Sequence, residues 1–195
     1  MRKLVIILVL IFLKIFSFGQ ITFNNIPLGG PYYNFKLELQ KKGFTYHSNN
    51  EKEAGNIFSY SGKFIDQDVD IQVMVTPITK MVWKVNIELH ASNSWTDIKS
   101  EFLDLYKKMT QKYGRAANAT TFFLKPYSEG DGNELLAVYQ DKCTYVSNWN
   151  TENGFIGLKI ISHGEGTALI NISYEDKNAS AINSAEKDKI IMDGL

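Results

Sequence analysis

Apolar residues recur along the chain with two periods. Val69, Ile71, Val73 and Val75 alternate with Asp70, Gln72 and Met74, and Trp83, Val85, Ile87 and Leu89 alternate with Lys84, Asn86 and Glu88. A strand turns successive side chains to opposite faces, so each run has one apolar and one mostly wet face. This is the pattern of an antiparallel sheet covered on one side only. The helical period is clearest at Trp95, Ile98, Phe102, Leu105 and Met109, widened by Tyr106 and Tyr113, with Glu101, Lys108 and Lys112 on other faces. The pattern predicts a helix over 95–113. Ser94 is its expected N-cap, Asp97 suits its positive end, and Gly114 ends it.

Weaker signals fill in the rest. Gly30-Pro31 opens a helix over 31–42, with Tyr32, Phe35 and Leu39 at helical spacing and Gly43 as its left-handed stop. Strands are predicted at 44–48, 57–65, 69–76 and 81–90, then at 120–125, 134–140, 143–149, 155–162 and 167–175. A short terminal helix is expected from Ala179 onward. Gln40-Lys41-Lys42-Gly43 and Gln111-Lys112-Tyr113-Gly114 each close a helix and each precede a series of strands. The fold class expected is therefore α+β: an antiparallel sheet backed by helices on one face, from two tandem helix-plus-four-strand units. One domain over 20–195 would hold pseudo-repeats at 26–92 and 93–176.

The first nineteen residues follow neither period. Arg2 and Lys3 precede a mostly apolar run, Leu4 to Phe16, and Ser17-Phe18-Gly19 places small residues at the positions a signal peptidase requires before Gln20. A spanning helix needs roughly twenty apolar residues; this run is shorter and Lys14 interrupts it. A signal peptide over 1–19 is the reading, with the mature protein periplasmic or extracellular and no membrane anchor after cleavage. Gln20 stands where a lipoprotein would carry cysteine.

Removing the leader changes the charge. Basic and acidic residues number 21 each, but Arg2, Lys3 and Lys14 leave with the leader, giving a net charge of about −3 beyond it. No basic surplus remains for nucleic acid, which is excluded as a partner class. Cys143 is the only cysteine, so no intramolecular disulfide forms and packing must supply stability. Aromatic residues make up 13% of the chain, which fits a sheet-rich core.

Ile26-Pro27-Leu28-Gly29-Gly30, Phe35, Leu39, Lys42-Gly43-Phe44, Gly62-Lys63-Phe64, Trp95, Tyr106 and Lys112-Tyr113-Gly114 together resemble a family of uncharacterised exported bacterial proteins similar to the β-lactamase-inhibitor-like fold. The resemblance implies duplicated helix-plus-sheet units. It carries over no catalytic residues, and fold alone does not transfer an inhibitory activity.

Candidate chemistry is sparse. Asp66, Asp68 and Asp70 copy the opening of a calcium loop, but Ile71 and Pro77 stand where its glycine and bidentate glutamate belong. They read as an acidic hairpin turn. Ser128 to Glu134 alternates glycine with oxygen-bearing side chains, as a long connection reaching positive φ requires. His47, His90 and His163 sit near strand ends without zinc spacing, and there is no nucleophile elbow or phosphate-cradling loop. Cys143 lies in a strand-like run and reads as a packing residue. Catalytic residues, metal sites and cofactors are therefore all expected to be none.

Aromatics outside the core stripes are the remaining clue, since rigid amphipathic rings anchor recognition surfaces. Tyr33, Tyr60, Tyr127, Tyr145 and Trp149 are the candidate binding residues, with Tyr32 beside them. The expectation is a noncatalytic exported binding module for a protein or peptide. The alternative is a small-ligand carrier or small hydrolase with a pocket between helix and sheet.

Overall fold

The computed structural model describes residues 20–47 and 55–194. The leader read at 1–19 and the strand end at Ser48 lie outside these residues. In chain order the elements are β1 (Thr22–Phe23), β2 (Ile26–Pro27), α1 (Tyr32–Lys41), β3 (Thr45–His47), β4 (Ile57–Phe64), β5 (Gln67–Val75) and β6 (Val82–Glu88). Then come α2 (Trp95–Tyr113), β7 (Asn118–Phe123), α3 (Glu134–Tyr139), β8 (Cys143–Thr151), β9 (Gly154–Gly164), β10 (Thr167–Asp176) and α4 (Lys177–Asp193). The fold is α+β. Its main sheet is antiparallel, with eight strands in the order β3-β4-β5-β6-β10-β9-β8-β7.

This order has a simple origin. Each of β3 to β6 pairs with its chain neighbour, as do β7 to β10, and the two four-strand meanders join where β6 pairs with β10. A helix precedes each meander, so α1-β3-β4-β5-β6 recurs as α2-β7-β8-β9-β10, with α3 set between β7 and β8.

One face of the sheet carries the core. Val69, Ile71, Val73, Val85, Ile87, Ile156, Leu158, Ile170 and Ile172 are buried there beneath α1 and α2. Helix α1 lowers Phe35 and Leu39 onto the first meander, and the Tyr32 ring stacks on Phe58 at 3.9 Å between centroids. Helix α2 buries Ile98, Phe102, Leu105 and Met109, the stripe its period predicts, and Phe102 meets the edge of Tyr145. The small β1–β2 hairpin contributes Phe23, fully buried against Phe44, Phe64 and Tyr174.

Close approach at this layer requires glycine. A Cβ on Gly62 would lie 2.5 Å from the Phe44 ring, and one on Gly154 would lie 2.1 Å from the Glu175 carbonyl. Gly43 and Gly114 end α1 and α2 at φ +83° and +85°, as expected from sequence. The Asp66 region is a hairpin turn in which Ile65 and Asp66 both have positive φ, the geometry of a two-residue connection that follows strand twist.

Two elements differ from the sequence expectation. Residues 134–140, predicted as a strand, form the helix α3 over Glu134–Tyr139. Its buried residues are Glu134, Ala137 and Val138, spaced by three and four, and leucine and alanine are strong helix formers. The terminal helix α4 starts at Lys177 and runs to Asp193, longer than expected, with the Asp176 carboxylate accepting the Ala179 N–H at 2.8 Å as its N-cap.

Candidate functional site

The second face of the sheet turns polar side chains outward across all eight strands. Strand register aligns them in rows, because directly opposed residues share a face. One row runs Asn118, Asn148, Gly157, Ser173, Asn86, Gln72, Ser59 and His47, from β7 to β3. It contains amides, hydroxyls and an imidazole, and no carboxylate or ammonium. The adjoining row, Val146, Lys159, Asn171, Glu88, Asp70, Ser61 and Thr45, brings both charge signs.

Two concavities indent this face. The larger, of about 790 Å³, lies over β4 to β6 and is bounded by Thr45, Ser61, Lys63, Asp68, Asp70, Glu88, His90 and His163. Thus two of the three histidines border one trough, while His47 lies on β3 with its Nε2 2.6 Å from Ser61 Oγ. The smaller, of about 340 Å³, lies over the β6–β10–β9–β8 seam and includes Asn86, Glu88, Asn148, Lys159, Asn171 and Ser173. Glu88 borders both.

At the far end of the seam Lys84 meets Glu175 at 3.6 Å. The Lys84 and Lys187 ammonium groups lie 5.7 and 5.9 Å from the Trp83 ring centroid, placing a cation–π cluster against the middle of α4.

The structure separates the aromatic candidates. Tyr60, Tyr145 and Trp149 are buried in the core and are corrected from surface anchors to packing residues. The Tyr60 hydroxyl meets that of Tyr32 at 2.6 Å, and Trp149 Nε1–H donates to the Gly114 carbonyl. Burial raises the Tyr60 and Tyr145 phenols, the latter to about 12, with the Glu129 carboxylate adding to the effect. Tyr33 is 69% exposed on α1. Tyr127 is half-buried in the β7–α3 connection and donates to Gln140 Oε1 at 2.9 Å. The five residues therefore form no common site. The polar row was missed as a site, although each member sits at the wet phase of a strand alternation.

Cys143 is half-buried, and burial, then the nearby Glu129 and Glu134 carboxylates, pushes its thiol up to about 12. It stays protonated at neutral pH, opposite to what a nucleophile needs. In the 128–134 connection, Asp131 accepts N–H bonds from Ser128 and Asn133, which together hold its carboxyl below the usual range. Lys99 pairs with Glu129 nearby. Among the described residues no group of three or more His, Cys, Asp or Glu side chains is placed to hold a metal ion, and no helix is long and apolar enough to cross a membrane.

A further cavity, of about 240 Å³, lies between α2, the β1–β2 hairpin and the sheet, against Leu105, Met109, Tyr113 and Tyr174. No protein-family model matches the chain, and no curated protein or solved structure is significantly similar to it.

Proposed function

We propose that the chain is an exported, noncatalytic binding module that receives a protein or peptide segment on the open face of its eight-stranded sheet. The observation that carries this reading is the open face itself. Eight strands present polar side chains of both charge signs around a trough of about 790 Å³, a size in the usual range of ligand sites. The basic start and apolar run of the leader support export. Among the described residues no cluster of exposed aromatic rings lies on this face, which changes the chemistry expected of the contact. Recognition rests on amides, hydroxyls and charges rather than on tyrosine anchors.

The small-ligand reading is favoured by the cavity beneath α2, yet its 240 Å³ falls below the roughly 300–1,000 Å³ of typical small-molecule sites. Titrating ¹⁵N-labelled protein with peptides selected from a displayed random library separates the two. Shifts confined to β4, β5, β6 and β10 support the open-face reading. Shifts confined to α2 and the β1–β2 hairpin, or none, reject it.

A further inference from the structure

Strand β7 forms one edge of the main sheet, paired with β8 on one side and with no described strand on the other. The Leu124 N–H donates to the Lys142 carbonyl at 2.7 Å, one step past the last β7–β8 pair. Bonded residues alternate with unbonded ones in an antiparallel ladder. Thr120 and Phe122 therefore turn their main-chain groups to β8, while Ala119, Thr121 and Phe123 turn theirs away from the sheet. No described residue pairs with these outward N–H and C=O groups. Such a row is a template for another strand, and proteins commonly blunt it with lysine, proline or an inward-pointing charge. Here residues 116–124 contain no charged residue and no proline, in a chain that is 22% charged. Ala119, Thr121 and Phe122 are exposed.

We propose that this edge is a homodimer interface: β7 of one copy pairs antiparallel with β7 of a second copy about a two-fold axis through Thr121, joining the two sheets into one.

Three arguments select a second copy and this register. The first is hydrogen bonding. Centring the axis on Thr121 sets Ala119 opposite Phe123 and Thr121 opposite its own copy, so each outward donor and acceptor meets its complement. Centring it on Thr120 would instead set Phe123 opposite Ala117, whose N–H already donates to the Asn148 carbonyl at 2.7 Å. The second is side-chain fit, because directly opposed residues share a face. On the helix-covered side the Phe123 ring, packed against Trp95 and Tyr145, would face the methyl group of Ala119, and no two rings collide. On the open face Phe122 would meet Thr120 and Leu124 would meet Asn118, covering two apolar side chains that are 42% and 45% exposed. The third is charge. Pairing a strand with itself sets like groups near one another, and opposed like charges destabilise; the uncharged run 116–124 avoids this. An axis perpendicular to the sheet also keeps both polar faces on the same side, so the open face is extended rather than covered.

Sedimentation velocity on the purified protein should show monomer at about 5 µM and mostly dimer at about 500 µM, since one strand pair lies at the small, weak end of interface sizes. Over the same range, amide exchange at Ala119, Thr121 and Phe123 should slow by about fivefold or more, while Thr120 and Phe122, bonded to β8 in both states, should not change. Thr121→Lys and Thr121→Glu each oppose like charges across the axis at an exposed position. Each variant should stay monomeric at about 500 µM in low salt, and their equimolar mixture should dimerise. Recovery in the mixture shows that both variants fold. A monomer at the highest concentration overturns the proposal. So does a dimer whose outward amides exchange at unchanged rates, or one that survives both substitutions, because its contact then lies elsewhere. Slowed exchange of the same amides when a capped peptide is added to a protein that stays monomeric also overturns it, and assigns the edge to a foreign strand.

Discussion

At the residue scale, burial decides which chemistry each side chain performs. Cys143 shows this most directly: desolvation and two neighbouring carboxylates push the thiol to about 12, and only the thiolate attacks electrophiles. Alkylation by iodoacetamide at pH 8 should therefore be at least tenfold slower for the native protein than for the urea-unfolded chain, followed by mass spectrometry. Equal rates would show that the thiol is not held in its protonated form. The aromatic residues make the same point from the other side. Tyr145 and Trp149 alternate with Val146 and Asn148 along β8, so strand parity already placed both on one face. What the parity lacked was the sign of the faces: whether the side holding Tyr145 and Trp149 or the one holding Asn148 meets the helices. Phe102 and Tyr106 of α2 decide that by packing onto Tyr145 and Trp149.

At the element scale, local signals were strongest where capping and periodicity agreed. Helix α2 has the bounds its apolar stripe predicts, and Ser94 Oγ accepts the Asp97 N–H at 3.3 Å. Ser94→Ala should lower stability by about 1 kcal/mol, read as a lower urea midpoint with an unchanged slope. An unchanged midpoint would mean that tertiary packing alone holds the first turn. Where the signals disagreed, the reading failed. The run Glu134 to Tyr139 is short and almost wholly apolar after its first residue, and periodicity does not separate a buried strand from a buried helix over so few residues. Its helical form follows from context. Glu134 accepts the Gly130 N–H at 2.8 Å, and the Lys142 N–H bonds to the Ala137 carbonyl, closing the segment on itself.

At the scale of the whole molecule, distant parts of the chain are joined by single polar groups. Glu186 on α4 accepts the N–H groups of Ile78 and Thr79 and the Thr79 hydroxyl, tying the last helix to the β5–β6 turn. Desolvation raises its carboxyl, but these hydrogen bonds outweigh it and leave the group below the ordinary glutamate range. A depressed folded-state value stabilises the protein above the unfolded glutamate value, and that contribution is lost as pH falls through the folded one. Glu186→Gln should therefore lower the melting midpoint at pH 7, with the gap to the parent narrowing between about pH 4.5 and the more acidic folded-state value. A gap that persists unchanged at pH 3 would assign the loss to packing instead. The sequence by itself determined the α+β class, most element positions and the wet phase of β5 and β6, because these depend on local periodicity and on glycine and capping chemistry. Only the tertiary structure decided that β6 pairs with β10, since that contact joins residues far apart in the chain and no local pattern encodes register. From that pairing come the eight-strand polar row and the trough over β4 to β6.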